Sequence, residues 1–399
     1  MRRAMLTRLP MTTLALSMLL SFLACKDDGS ETGVQPPEEG EFHFGADLSY
    51  VNQILDHGGS YRDEGEVRDP YRIFSDHGAT LVRVRLWHSP DWTRTVYDPP
   101  SVQRYHDLSD VERTIANAKQ YGMQVLLDFH YSDVWADPGH QEIPAAWKDI
   151  TDIATLKDSV YQYTFKVLSA LESKGLLPEF VQTGNEINCG MLFTDSPPQF
   201  PACDACNGAW DNLAEVINSA IAAVRDVSAA SSAETRVILH VADPKNVEWW
   251  FDNITSHGVT DFDIIGFSYY PLWHTTVPLD QLGDQVRTFS QRYDKPVMVL
   301  ETAYPWTTSG ADGYNNIFGG QTPIEGYPFT QEGQLNMMKA ITQEVKNGGG
   351  AGVIYWEPAW ITSNMRDLWG TGSAWENCTF FDFDGNAISS IDYMKADYE

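Results

Sequence analysis

Eight short apolar runs recur along the chain, with helical patterning between several of them. They are FHFGADLS (42–49), TLVRVRLW (80–87), MQVLLDFH (123–130), EFVQTGNE (179–186), RVILHV (236–241), FDIIGFSYY (262–270), KPVMVLE (295–301) and AGVIYWE (351–357). Runs of this length, rich in β-branched and aromatic residues, read as strands buried on both faces. The intervals carry helix signals. Ser109 and Glu112 have the spacing of a capping box, which predicts a helix from there towards Tyr121, stopped by Gly122. Leu156 to Lys174, Ala209 to Val227 and Gln331 to Lys346 show apolar residues at helical spacing. Strand and helix alternating eight times imply an α/β chain folded as a (β/α)8 barrel. An open doubly wound sheet would be marked by a G-x-G-x-x-G turn after its first strand, and none is present. Two long irregular segments, 190–208 and 304–329, follow the fourth and seventh runs, where barrel loops build binding sites.

The first residues read differently. Arg2, Arg3 and Arg8 precede the apolar stretch MTTLALSMLLSFLA, which is too short to span a bilayer and has the form of an export signal. FLAC resembles a lipobox, with Ala24 before a lipidated Cys25. KDDGS after it resembles the acidic surface-export signal of Bacteroidetes lipoproteins. The expected organisation is a lipoprotein signal peptide at 1–24, a polar flexible tether at 25–40 that cannot bury enough surface to order itself, and a single barrel domain at 41–399. The expected location is the outer membrane or cell surface of a Gram-negative, Bacteroidetes-like bacterium, with the lipid anchor as the one membrane contact. The alternative is a plain secreted chain cut near Ala24.

Composition narrows the partners. The formal net charge is −28 over 399 residues. Nucleic acid, which needs a positive surface, is excluded as a partner, and a polyanionic substrate is disfavoured. A neutral substrate fits. Thirteen Trp, 18 Tyr and 18 Phe are either core filling or flat faces on which sugar rings stack. Cys189, Cys203, Cys206 and Cys378 are compatible with disulfides in an exported chain, but their pairing cannot be deduced from spacing. CDAC has no second CxxC or paired His beside it, so zinc is not supported.

In a barrel of this kind, chemistry sits at the C-terminal ends of the strands. Those positions hold Asp47, Arg85, Trp87, Asp128, His130, Asn185, Glu186, His240, Tyr269, Tyr270, Glu301, Trp356 and Glu357. A carboxylate at a strand exit is often merely solvated. Glu186 and Glu301, however, end the fourth and seventh strands and face each other across the barrel mouth. Two such carboxyls are what glycoside hydrolysis requires, one to protonate the leaving oxygen and one to attack or to activate water. Arg85 is expected to hold Glu301 ionised, and Tyr269 to donate a hydrogen bond to it. Asn185 is expected to bind the sugar 2-hydroxyl. Trp356 either floors a sugar subsite or packs at the barrel top, and His130 and His240 either position acids or bond hydroxyls.

The motifs GADLS, RVRLWHSP, LLDFHYSDVWADPGHQEIPAAW, VQTGNEINCG, SYYPLWH, ETAYPW and YWEPAW occur in this order between Gly45 and Trp360. Together they resemble the endo-β-1,4-galactanases of glycoside hydrolase family 53. The resemblance implies a retaining endo-hydrolase of β-1,4-galactan, the neutral side chains of pectin, with Glu186 as acid/base and Glu301 as nucleophile. It also implies that Ser132 to Asp137, including Asp133 and Trp135, line the sugar groove with Asp47, Trp87 and Trp356. No cofactor is required for the chemistry. A structural Ca²⁺ is the one metal the resemblance raises, with Asp312, Asn315 and Asn316 as hard oxygen ligands in the loop after the seventh strand. That loop reads equally well as polar surface. Two other functions stay open: a non-catalytic galactan-capture lipoprotein, and an endo-mannanase or xylanase on the same barrel.

Overall fold

The computed structural model describes residues 42–398. The signal at 1–24, Cys25 and the tether lie outside these residues. Eight parallel strands close into a barrel in chain order: β1 His43–Asp47, β2 Leu81–Leu86, β3 Gln124–Phe129, β4 Phe180–Thr183, β5 Arg236–Ala242, β6 Ile264–Ser268, β7 Val297–Thr302 and β8 Gly352–Tyr355. Every strand falls within the apolar run that predicted it or within two residues of it. The outer helices are α1 Pro70–Asp76, α2 Leu108–Gln120, α3 Ile153–Glu172, α4 Trp210–Ala230, α5 Val247–Ser256, α6 Leu282–Tyr293 and α7 Gln331–Asn347. The eighth position is taken by a 3₁₀ segment, Ser389–Lys395, packed on α7.

Four of these seven helix starts, those of α1, α2, α3 and α7, carry side-chain caps. Asp107, not Ser109, caps α2, accepting the Asp110 N–H; Asp152 and Thr330 cap α3 and α7 in the same way. The Ser109–Glu112 spacing therefore lies inside the helix. A Ser at that point can cap only if its backbone is extended, and here it is already helical.

Side chains alternate in and out along each strand. Leu81, Leu126, Phe180, Ile238, Ile264, Met298, Leu300 and Ile354 form an apolar plug inside the barrel. The much larger apolar layer between strands and helices is separate from it. Two to four residues further along the inward rows, the interior becomes polar: Arg83, Arg85, Asp128, Gln182, His240 and Ser268 are all buried, as is Asp47 at the end of β1. The site therefore stands on a dry apolar floor.

β7 breaks its own alternation. Val299 pairs with Phe267, but the next partner of Ser268 is Glu301, so Leu300 is an inserted residue. The same extra residue appears against β8, where Val299 pairs with Val353 and Thr302 with Tyr355. Such a bulge re-aims the side chain that follows it. Leu300 belongs to the plug, and Glu301 faces the barrel mouth although it is the adjacent residue. Gly266 makes room for this: a Cβ there would lie 2.3 Å from the Leu300 side chain.

The loop after β4 is stapled by a disulfide between Cys189 and Cys206, while Cys203 and Cys378 are free and buried. Gly190–Met191 pairs antiparallel with Cys203–Asp204 inside this loop. Gly190 has φ +100°, and a Cβ there would sit 1.8 Å from the Cys203 carbonyl oxygen.

Candidate active site

After Thr183 the chain turns through Gly184 (φ +99°) and reaches Glu186 in the left-handed region at φ +47°. A non-glycine residue adopts this backbone only when its surroundings compel it. The compulsion is a set of hydrogen bonds. Asn185 donates from Nδ2 to the Ala136 carbonyl (2.8 Å), and its carbonyl oxygen accepts from Gln141 Nε2 (2.8 Å). The Glu186 carboxyl is nearly buried and accepts a hydrogen bond at Oε1 from the Ser268 hydroxyl. Burial pushes its pKa well above the ordinary carboxyl value, and the charge of Glu301 pushes it further. Glu186 is thus built to hold a proton.

Glu301 has the same burial and different neighbours. Arg83 donates from Nη1 to Glu301 Oε1 (2.9 Å), and the Tyr270 hydroxyl donates to Oε2 (2.9 Å). Arg83 also bonds Asp47 (2.9 Å), Asp128 (2.8 Å), Gln182 and the side-chain oxygen of Asn185 (2.7 Å). Burial opposes the charge of this arginine, but Asp128, Glu301 and Asp47 outweigh it and keep the guanidinium ionised. Burial pushes Glu301 up to about 7, and Arg83 and Tyr270 oppose the rise. Glu301 therefore gives up its proton before Glu186 does. One carboxylate oxygen of each glutamate and a ring nitrogen of His240 lie within 4.8 Å of one another.

The two glutamates open onto a cavity of about 700 Å³. Its aromatic walls are Trp135, Trp273, Trp356, Trp360, Trp369 and Trp375. Four of the six come from the segment after β8. Trp356 stands edge-on to Trp375 (centroids 4.7 Å apart) and 5.6 Å from Trp135. Trp369 is 60% exposed at the cavity's rim. Polar side chains are the minority: Asn185, Asp137, His140, Glu142, His274, Asn315 and Asp367, with the hydroxyls of Tyr270 and Tyr314, join the glutamates. Flat apolar walls with sparse polar groups suit a chain of neutral sugar rings.

Of the residues singled out in the sequence, Glu186, Glu301, Asn185, Trp135, Asp137, Tyr270, Asn315 and Trp356 line this cavity. The others stand behind it. Asp47 is bound to Arg83 and Ser49. His130 accepts at Nδ1 from Trp87 Nε1 (3.2 Å) and the Ala136 N–H (3.0 Å), leaving Nε2 to donate to Asp128 (3.1 Å). Trp87 is fully buried against Trp135. Asp133 ties two loops together by accepting the Ser89 and Ala145 N–H groups (both 2.8 Å). His240 lies beneath Glu186, bonded to Ser268 (2.9 Å) and Gln182 (3.1 Å).

Two expected contacts are replaced by neighbours. Arg85 does not reach Glu301. It pairs with the buried Glu357 and is sandwiched between Tyr50 (4.1 Å) and Trp135 (4.0 Å), so it supports an aromatic wall. Arg83, one inward position lower, holds Glu301. Tyr269 points outward and donates to the Val277 carbonyl, while Tyr270 reaches Glu301. Parity along β6 contains this answer, because Ile264, Gly266 and Ser268 face inward and Tyr270 continues their row. The segment 190–208 is also absent from the cavity wall; it backs the site through Gln141, whose Nε2 donates to the Asp137 and Asn185 carbonyls on one side and whose backbone N–H donates to Thr194 Oγ1 on the other.

The loop residues raised for Ca²⁺ do not make a ligand set. Both oxygens of Asp312 are occupied by protein donors: Tyr314 N–H on one, Ser373 N–H and Thr362 Oγ on the other. Those donors point where a cation would have to bind. Asn315 lines the cavity instead, and the buried side-chain oxygen of Asn316 has no hydrogen-bond partner.

A sequence profile described as glycosyl hydrolase family 53 matches residues 43–394. The chain is 44% identical over 360 residues to an arabinogalactan endo-beta-1,4-galactanase of Cellvibrio japonicus, covering 90% of this chain and 92% of that one. It is 30% identical over 393 residues to an endo-beta-1,4-galactanase of Bacillus subtilis, covering 89% and 86%. Among solved structures, the family 53 catalytic domain of Ignisphaera aggregans superposes with a TM-score of 0.77 at 34% identity, covering 91% of this chain and 98% of that one.

Proposed function

The chain belongs to glycosyl hydrolase family 53, and from that premise we propose that it is an endo-β-1,4-galactanase. It cleaves galactan and the type I arabinogalactan side chains of pectin by double displacement with retention. The observation that carries this is the Glu186–Glu301 pair, with oxygens no more than 4.8 Å apart in a groove walled by tryptophans. That spacing is nearer to the separation of about 5–5.5 Å used by retaining enzymes than to the roughly 6.5–9.5 Å of inverting ones, which supports retention.

In the first step the Glu301 carboxylate attacks the anomeric carbon while Glu186 protonates the departing glycosidic oxygen. Asn185 has one Nδ2–H committed to Ala136 and turns the other towards the sugar 2-hydroxyl. In the second step Glu186, now a carboxylate, takes a proton from water, which attacks the galactosyl–Glu301 ester. Arg83 and Tyr270 stabilise Glu301 as an anion before the first step and as a leaving group in the second.

The test is hydrolysis of β-1,4-galactan beside mannan and xylan, with the anomer of the first product followed by NMR. Galactan should be the preferred substrate, with the β-anomer appearing first. Glu301→Gln should abolish turnover, and Glu186→Gln should lower it by about 10²–10⁴-fold on unactivated substrate. Wild-type turnover by Glu301→Gln, or binding without release of reducing ends by the wild type, would reject the proposal.

We further propose that Cys25 carries a lipid that holds the enzyme on the cell surface through the polar segment 26–40. Metabolic labelling with a fatty acid should mark the wild type and not Cys25→Ala. Equal labelling would reject the anchor.

A further inference from the structure

Resting on the acid/base assignment of Glu186, we propose that Ser268 is a positioning residue that dictates which oxygen of Glu186 carries the catalytic proton. The observation is a directed chain of hydrogen bonds under the acid: His240 to Ser268 to Glu186 Oε1. All three residues are buried, and Ser268 and His240 have no exposure at all.

The direction of the chain follows from donors that cannot be reversed. Arg83 has only N–H groups, and they meet the side-chain oxygens of Gln182 (3.1 and 3.2 Å) and Asn185 (2.7 Å). The orientation of both amides is thereby fixed. The Gln182 Nε2 then faces His240 Nδ1 at 3.1 Å as a donor, and the Glu186 backbone N–H is a second donor to the same atom at 3.4 Å. The Asn185 side-chain oxygen also lies 3.0 Å from Nδ1, but it already accepts from Arg83 and from Gln182 (3.0 Å). Nδ1 is therefore the acceptor and Nε2 carries the ring proton. Burial and the charges of Arg83 and His130 keep the ring from taking a second proton.

With its proton on Nε2, His240 donates to the Ser268 oxygen. The Ser268 hydroxyl proton then has one partner left, Glu186 Oε1. Oε1 accepts a hydrogen bond and carries no proton, so the acidic proton sits on Oε2. Without Ser268 the carboxyl could turn about its last bond and place its proton away from the substrate. The reversed chain, with the proton on His240 Nδ1, would make Ser268 donate to the ring and would place the Glu186 proton on Oε1, facing Ser268 instead of substrate.

Other groups also act on Glu186: Glu301 from β7, Asp137 from the loop after β3, Arg83 from β2 and Tyr270 beyond β6. They are unchanged by substitution at Ser268, so a difference measured there belongs to the hydroxyl. Ser268→Ala should lower kcat on galactan by about tenfold while leaving KM within a factor of two. It should also move the alkaline limb of the kcat profile upward, because a donor to the carboxylate has been lost. On an aryl galactoside whose leaving group needs no protonation, the loss in the first step should shrink. A purely structural role would lower the melting temperature and leave the alkaline limb in place, and that result would overturn the proposal.

Long-range ¹⁵N–¹H NMR of histidine-labelled wild type tests the same chain without a variant. The Nε2–H tautomer of His240 is expected throughout the active pH range, and an Nδ1–H tautomer would overturn the proposal even if Ser268→Ala failed to fold. If the wild type does not cleave galactan, the functional assignment fails and the NMR result still decides the hydrogen-bond chain. If it cleaves galactan and the alkaline limb ignores Ser268, only the role of Ser268 fails.

Discussion

At the scale of single residues, the division of labour between two identical side chains comes from their neighbours. Glu186 receives one hydroxyl and sits beside another acid; Glu301 receives a guanidinium and a phenol. Arg83 is the decisive difference. Arg83→Met should move the acid limb of kcat/KM upward by about 1–3 pH units, since Glu301 loses the charge that holds it ionised. It should also cost about 3–5 kcal/mol of stability, because Asp47 and Asp128 are left buried without their partner. A pH profile and a urea titration check both, and an unmoved acid limb would remove Arg83 from this role. Arg83 was legible in the sequence as the inward neighbour of Arg85 in RVR. Their ranking was not, because it depends on how far each guanidinium climbs the barrel interior.

Among the elements, strands were readable and loops were not. All eight strands appear as apolar runs, since burial on both faces leaves no polar alternation to confuse them. The bulge at Leu300 leaves no trace in VMVLE, yet it alone turns Glu301 inward. The aromatic walls came mainly from the segment after β8, which has no periodicity to mark it; its tryptophans are placed by one another. The loop after β4 makes a separate prediction. Replacing Cys189 and Cys206 together by Ala opens a crosslink across a sequence separation of 17. This should cost about 3 kcal/mol, or roughly 5 °C in melting temperature, while turnover at 25 °C stays near wild type because the loop does not line the cavity. Calorimetry and a galactan assay on the double variant settle this, and a large loss of turnover with an unchanged melting temperature would contradict it.

For the whole molecule, the buried charges make stability depend on pH in two opposed ways. Burial raises Glu301 to about 7, Glu357 to about 8 and Asp110 to about 6, and Glu186 well above its ordinary value. A carboxyl with a raised folded pKa binds more protons folded than unfolded, so its contribution is full at low pH and is lost as pH rises towards that pKa. Seven of the ten histidines are lowered by burial: His43, His57, His88, His106, His130, His240 and His274. They bind fewer protons folded than unfolded, so their contribution is full above about 6.5 and is lost as pH falls below it. The two trends leave a maximum on the acid side of neutrality, at about pH 5.5–6.5. Melting temperature against pH should show this dome. Glu357→Gln should flatten the decline between pH 6.5 and 8, and a curve still rising through pH 8 would contradict the assignment.

The barrel, its eight strands and the two glutamates that share the cavity were all written in local order: apolar runs of strand length, an amide beside an acid, a second acid at a strand exit. These features are local because burial and strand parity act within a few residues. What the tertiary structure alone decided is which groups touch. Arg83 and not Arg85 meets Glu301, Tyr270 and not Tyr269 caps it, and His130 and His240 stand behind the cavity wall instead of lining it. Each of those outcomes depends on a bulge, a positive φ or a hydrogen bond between residues up to more than two hundred positions apart. No window of sequence contains such a contact, because its energy comes from closing the barrel.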